Sequence, residues 1–269
     1  MVRDMNAPDS AAIASADLAN LARRTLPLLD LTSLNEQDTP VCIRSLCERA
    51  ATRFGKVAAV CVYPEHVHGA RVHLAAIGSP EIRVATVVNF PDGSADPERI
   101  KRETWRAVSA GAEEIDLVIP WRSLLAGDSV AVSAAVDAAR TACISLPLKV
   151  ILETGELKDP ALIRHAGQLA IDAGADFLKT STGKVPINAT PDAARVLCEL
   201  IREQARPVGL KIAGGVRRTE DAGAYLAIIE HTLGAAFIHP ARCRFGSSAL
   251  LDDLQNVLSG QRQQARGGY

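Results

Sequence analysis

Short, mostly apolar runs recur along the chain: Leu28–Leu31, Val57–Val62, Arg83–Val88, Glu114–Ile119, Leu148–Leu152, Asp176–Thr180, Val208–Ile212 and Ala235–Ile238. Their starts lie about 30 residues apart, the length of one βα unit. They are near-continuous rather than alternating, as expected of parallel strands covered by helices. Between them stand helix-start signals. Thr39-Pro40, Asp96-Pro97, Asp159-Pro160 and Thr190-Pro191 each set an N-cap residue before a proline at the first helical position. Thr219 precedes Glu220 and Asp221, whose charges suit a helix N-terminus. Eight strands alternating with helices predict an α/β fold, a (β/α)8 TIM barrel. The alternative, a doubly wound open sheet, lacks support: no GxGxxG follows a predicted strand and no GxxxxGK[ST] occurs.

A fainter repeat points the same way. Gly111-Ala112, Gly174-Ala175 and Gly234-Ala235 each lead from a helix into a predicted strand. Five residues past each glycine stands a polar side chain: Asp116, Lys179 and His239. The glycines read as left-handed C′ positions. That reading does not account for the polar residue at the shared slot.

Length and composition narrow the class. The chain has 269 residues, 48% hydrophobic and 23% charged, which excludes disorder over its whole length. A net charge of -1 gives no general electrostatic case for nucleic acid or an anionic membrane as a partner. No stretch reaches the roughly 18 apolar residues of a membrane span. Residues 1–24 lack the apolar core of a signal peptide, so a cytoplasmic location is expected. The six cysteines form no CxxC pair and are expected to be reduced thiols. His66, His68 and His73 follow Pro64 on an expected helix and do not share one face, so no metal site is predicted. Trp105 and Trp121 are expected to be packing residues. The expected organisation is a helical extension over 1–24 (a helix near Ser10–Arg24), a barrel over 25–258 and a flexible tail over 259–269.

Charged residues inside apolar strands are costly to bury unless paired. Asp30, Asp116, Lys149, Lys179 and Lys211 all fall inside or at the ends of predicted strands. They fit either a catalytic constellation or a structural ion-pair cluster filling the barrel. Lys179 and Lys211 lie on neighbouring strands, about 4.8 Å apart. Two ammonium groups at that range repel, and one is driven toward the neutral form that attacks a carbonyl. The pattern suggests Schiff-base chemistry, with no cofactor and no metal required. Lys149 stands near the start of its strand and is expected to pair with a carboxylate such as Asp30. Gly183-Lys184, Gly214-Gly215 and Gly246-Ser247-Ser248 follow the last three predicted strands. Such turns point backbone N–H groups at an anion, and barrels favour phosphate in these loops. Arg217 is a further candidate contact.

The runs Lys149–Leu157 (KVILETGEL) and Ala175–Lys184 (ADFLKTSTGK) resemble the deoxyribose-phosphate aldolase family. So do Leu29–Thr32, Asn89–Pro91, Glu114–Val118, Lys211–Arg217 and Arg244–Gly246. The resemblance covers about residues 25–258 in order. It implies a class I aldolase that splits a deoxyribose phosphate into D-glyceraldehyde 3-phosphate and acetaldehyde in deoxyribonucleoside catabolism. It implies Lys179 as the Schiff-base nucleophile, Asp116 as a proton-transfer residue and Lys211 as the neighbouring cation. Gly183, Lys184, Gly214, Gly215, Gly246 and Ser248 would hold the phosphate. Asp30, Thr180 and Cys61 complete the expected substrate-side set, with Cys61 contributing small size more than a thiol. The terminal Tyr269 would assist proton exchange at the acetaldehyde carbon. The implied partner is a small sugar phosphate, and a homodimer is expected. Ile212, His239 and Ala249 stand where the family carries proline, often aspartate and, in one pattern, serine. A barrel lyase or isomerase of another kind would lack the lysine pair on the sixth and seventh strands. A non-catalytic sugar-phosphate sensor would be expected to lose Lys179 or Asp116.

Overall fold

In the computed structural model, which describes residues 10–261, eight parallel strands close into a barrel. They are β1 (Leu29–Thr32), β2 (Ala59–Val62), β3 (Arg83–Val88), β4 (Glu114–Val118), β5 (Leu148–Ile151), β6 (Phe177–Lys179), β7 (Gly209–Ala213) and β8 (Cys243–Ser247). Each pairs with its neighbours in chain order, and β1 pairs with both β2 and β8. Helix Ser10–Thr25 precedes the barrel. A small antiparallel pair, Ala51–Thr52 with Gly55–Lys56, is an addition that the apolar pattern did not announce.

The four Thr/Asp-Pro signals start helices as read. Thr39, Asp96, Asp159 and Thr190 accept backbone N–H bonds from Cys42, Arg99, Ala161 and Ala193. Each satisfies an N–H that the first helical turn leaves without a partner. Gly111, Gly174 and Gly234 all have positive φ, at 96, 99 and 83°. Trp121 is buried, but Trp105 is 50% exposed with the Lys101 ammonium 5.0 Å from its ring centroid, so it is not a core residue.

The eighth strand is a correction. The run Ala235–Ile238 is no strand: Ala235–Phe237 forms a single 3-10 turn, with Phe237 N–H bonded to Gly234 O and Ile238 N–H to Ala235 O. Cys243–Ser247 takes the place beside β7 and β1. Its residues alternate, with Cys243 and Phe245 in the apolar layer and Arg244 in register with Lys211. The run at 235–238 carries no such alternation. His239, placed by the glycine repeat beside Asp116 and Lys179, is exposed ahead of β8. Arg244 fills that interior slot instead.

This alternation holds for most of the barrel. Val60, Val62, Val84, Val88, Ile115, Leu117, Leu148, Val150, Leu178, Leu210 and Ile212 join the core between strands and helices. The inner face is divided. On β2 and β3 it is a small apolar wall, Ala59, Cys61, Ala85 and Val87, with Leu34 beside it. On β4 to β8 it carries Glu114, Asp116, Lys149, Lys179, Lys211 and Arg244. Hydrophobic stabilisation therefore resides mainly in the outer layer, which leaves the interior free to hold charge.

Candidate active site

Strand register brings the charged residues together. Asp116 is level with Lys149, Lys179 with Lys211, and Lys211 with Arg244. Side chains at paired positions of adjacent strands point to the same face, so these heads converge inside the barrel. One carboxylate lies at the centre. Oδ2 of Asp116 accepts from Nζ of Lys179 at 2.7 Å and from Nζ of Lys211 at 2.8 Å, and its Oδ1 accepts from Lys149 at 2.8 Å.

A second layer supports it. Lys149 also meets Glu114 at 2.7 Å, so its partners are Glu114 and Asp116 rather than the Asp30 expected from the sequence. Asp30 pairs instead with Lys211 at 2.5 Å and with Arg244 at 2.6 Å. Arg244 bridges on to Glu114 at 2.8 Å. The partial correction has a geometric cause: β5 adjoins β4, whereas β1 lies between β8 and β2. Asp30 is wholly buried and committed to two cations, which makes it a support of Lys211 rather than an open substrate contact.

Counting these enclosed heads gives three carboxylates (Asp30, Glu114, Asp116) against four cationic groups (Lys149, Lys179, Lys211, Arg244). Arg83 touches Glu114 only at 3.7 Å, from a half-exposed position. The cluster is balanced when one of the four is neutral. Burial lowers Lys179, and Lys211 lowers it further against the opposing pull of Asp116, so Lys179 lies below the ordinary lysine range. Lys211 goes the other way. Burial would lower it, but Asp116 and Asp30 hold it well above that range. Lys149 is also raised, because Asp116 and Glu114 outweigh its burial. Burial would raise Asp116, yet the three lysines hold its carboxyl well below the carboxylate range. Lys179 is therefore the amine of the cluster most easily deprotonated.

The other predicted residues surround this centre unevenly. Cys61 is fully buried in the small wall of β2 and β3, and burial pushes its thiol up, with Lys211 opposing. The Thr180 hydroxyl bonds the backbone of Ala213 in both directions, to its O at 3.1 Å and from its N at 3.0 Å. It ties β6 to β7, with its one O–H spent on the Ala213 carbonyl. Gly183, Gly214 and Gly215 have φ of 84, 84 and 87°, a backbone conformation that side chains resist. They form the turns after β6 and β7. A Cβ on Gly246 would come within 3.0 Å of Lys211 Cε and 3.1 Å of Ala213 Cβ, so the bare strand end leaves room for the lysine. Lys184 is exposed, and its ammonium reaches the carbonyl of Leu34 across the mouth at 2.6 Å. Ser248 is exposed near the start of helix Leu250–Leu258. Ser247 rather than Ser248 accepts the amides of Ala249 and Leu250. Arg217 is exposed on the loop after β7. Tyr269 lies outside the described residues.

Glu114, Arg244 and Glu153 were not singled out as site residues. Glu114 had a signal: it stands two residues before Asp116, on the same strand face. Arg244 had none in periodicity, because its strand was misplaced. Glu153 bonds Thr182, 29 residues later, a pairing that only the fold reveals.

The chain matches the DeoC/LacD family aldolase model over residues 25–256. A deoxyribose-phosphate aldolase from Agrobacterium fabrum (strain C58 / ATCC 33970) is 51% identical over 251 residues, 92% of this chain and 96% of that protein. The apo-form crystal structure of a provisionally named deoxyribose-phosphate aldolase from Toxoplasma gondii ME49 is similar at a TM-score of 0.85 and 26% identity, over 91% of this chain and 98% of that one. A deoxyribose phosphate aldolase from Aeropyrum pernix, described as having a unique tetrameric structure, gives 0.71 and 25% over 93% and 98%. Among the described residues no helix is long and apolar enough to cross a membrane. With a family model spanning the whole barrel and a relative of this identity over nearly its full length, the chain belongs to the DeoC/LacD family of aldolases.

Proposed function

We propose that the chain is a class I aldolase that cleaves 2-deoxy-D-ribose 5-phosphate reversibly into D-glyceraldehyde 3-phosphate and acetaldehyde, through an imine on Lys179, in the breakdown of deoxyribonucleosides. The observation that carries this reading is the unequal treatment of two adjacent lysines. Lys179 and Lys211 share one carboxylate oxygen, yet only Lys211 has a second carboxylate, Asp30, to hold its proton. A lysine must be neutral to attack a carbonyl, and burial beside a cation is a way to make it so.

In this mechanism the Lys179 amine adds to the aldehyde carbon of the open-chain sugar. The carbinolamine then loses water to give a protonated imine. That cation accepts the electron pair of the C2–C3 bond as it breaks, while the C3 hydroxyl gives up its proton. C3 becomes the aldehyde carbon of glyceraldehyde 3-phosphate, and C1 and C2 remain on the lysine as an enamine. Protonation at C2 and addition of water release acetaldehyde and restore the amine. Asp116 touches the Lys179 nitrogen and is the nearest group to pass protons during these steps. Its low affinity for a proton keeps such transfers brief. Lys211 stays charged throughout and keeps Lys179 from reprotonating.

The turns at Gly183-Lys184, Gly214-Gly215 and Gly246 to Ser248 would hold the phosphate, so that binding energy far from the reacting carbons assists cleavage. The decisive experiment is trapping. Acetaldehyde with borohydride should leave an N-ethyl lysine in a peptide containing Lys179. Label on Lys211 or Lys149, or none in an active preparation, overturns the assignment.

A further inference from the structure

We infer that Glu153 is a positioning residue that sets the loop after β6, through Thr182, so that Gly183 and Lys184 are poised for the phosphate of the substrate. The inference rests on the function proposed above and adds to it a residue that touches neither the reacting atoms nor the phosphate.

Both oxygens of Glu153 are spent on one residue of the next loop. Oε1 accepts the Thr182 N–H at 3.1 Å, and Oε2 accepts the Thr182 hydroxyl at 2.5 Å. The same hydroxyl then accepts the N–H of Lys184 at 3.0 Å. A continuous hydrogen-bonded path thus runs from the end of β5 to the backbone of Lys184. The other end of Lys184 is held by the Leu34 carbonyl, a neutral partner that leaves the ammonium charge available to an anion.

Glu153 is placed there at a cost. It is wholly buried, and its φ of 56° lies in the left-handed region, where non-glycine residues are strained. A buried carboxylate also loses solvation that only strong hydrogen bonds restore. Burial shifts its carboxyl upward, while the Thr182 bonds and the nearby Lys179 pull it down.

The loop is gripped independently at two other points. A Cβ on Gly155 would sit 1.8 Å from the Ile187 carbonyl oxygen, so the turn after β5 lies directly against the loop's far end. A Cβ on Gly214 would sit 2.5 Å from Asn188 Cβ, so the turn after β7 closes on it from the other side. With both flanks packed, the orientation of residues 182–184 is left to the Glu153 clamp.

The test compares kcat and KM for 2-deoxyribose 5-phosphate and for unphosphorylated 2-deoxyribose in five proteins: unmodified, Glu153→Gln, Thr182→Val, the double variant of these two, and Thr182→Ser. Glu153→Gln and Thr182→Val should raise KM for the phosphorylated sugar more than they lower kcat. They should lower the ratio of kcat/KM for the phosphorylated over the unphosphorylated sugar by about tenfold, the effect of a lost charge-assisted hydrogen bond. Thr182→Ser keeps the hydroxyl and should restore the ratio. The double variant should lose no more than either single one, since both break the same path. General loosening of the fold would lower both substrates alike and leave the ratio intact. That result in Thr182→Val, or a Thr182→Ser variant as impaired as Thr182→Val, overturns the inference. If the unmodified protein itself fails to prefer the phosphorylated sugar, the proposed function fails first, and the two outcomes are distinct.

Discussion

Lys179 and Lys211 stand level on adjacent strands and divide one carboxylate oxygen of Asp116, at 2.7 and 2.8 Å. Two cations on one oxygen cannot both be well compensated, and the extra partner Asp30 decides in favour of Lys211. Replacing Lys211 by methionine removes the repulsion and leaves Asp116 to Lys179 and Lys149. The Lys179 ammonium is then more stable, so its pKa rises and less of it is neutral at neutral pH. Imine trapping by acetaldehyde and borohydride in Lys211→Met should fall by tenfold or more at about pH 7, the consequence of roughly one pKa unit. It should recover as the pH is raised. A profile that keeps its unmodified midpoint would show that Lys211 does not tune Lys179.

Asp30 links the site to stability. Burial would raise its carboxyl, but Lys211, Arg244 and Lys149 hold it at about 2, against an ordinary 3.8. A carboxyl depressed in the folded state stabilises it fully above the unfolded value, and that contribution is lost as the pH falls through 3.8 toward 2. The shift corresponds to about 2 kcal/mol. Asp30→Asn should therefore be less stable than the unmodified protein by about 2 kcal/mol or more in urea unfolding at neutral pH. The gap should narrow steadily below about pH 4. A gap that stays constant into acid would mean that the loss comes from packing and not from the charge.

Much of this arrangement was legible in the sequence, for reasons that also mark where legibility ends. Strands β1 to β7 announced themselves because each apolar run is bracketed by a glycine turn or by a Thr/Asp-Pro cap. Asp116, Lys179 and Lys211 stood out because a charge inside such a run needs a partner. The pairing did not follow, since it depends on which strands adjoin and in what register. Lys149 lies one strand from Asp116 and Glu114, and its placement with Asp30 required β5 to reach past its neighbours. The eighth strand failed because Ala235–Ile238 looked apolar but lacked the alternation that Cys243–Ser247 has. Glu153 was invisible because its partner, Thr182, belongs to a different βα unit. Tyr269 falls outside the described residues.

Cys61 separates size from chemistry. It lies in a wall of small residues with Ala59, Ala85 and Val87, opposite the lysines. Burial keeps its thiol above the usual range, so it is not a ready nucleophile at neutral pH. Cys61→Ala should retain kcat/KM within about twofold, because it removes only a thiol from the wall. Cys61→Leu should cost tenfold or more, because the extra carbons project into the space in front of Lys179. Steady-state cleavage of 2-deoxyribose 5-phosphate measures both. Loss of activity in the alanine variant would instead assign the thiol a chemical role.

The charge count inside the barrel yields a paired expectation of opposite sign. With Lys179 neutral, three carboxylates face Lys149, Lys211 and Arg244. Lys149→Met removes one cation, and the cluster regains balance only when Lys179 keeps its proton. Glu114→Gln removes one carboxylate, and the surplus positive charge favours a neutral Lys179 still more. The pH midpoint of imine trapping should therefore move up in Lys149→Met and down in Glu114→Gln. Neither residue touches Lys179: Lys149 and Glu114 act through Asp116 and Arg244. Each variant takes one partner from a buried charge that keeps another, so each should lose stability, by less than the about 3–5 kcal/mol of a charge left with none. The double variant removes the pair together, so its stability loss should be smaller than the sum of the two and its midpoint should return toward the unmodified value. Equal shifts of the same sign in the two single variants would show that the midpoint follows general loosening of the barrel and not its charge balance.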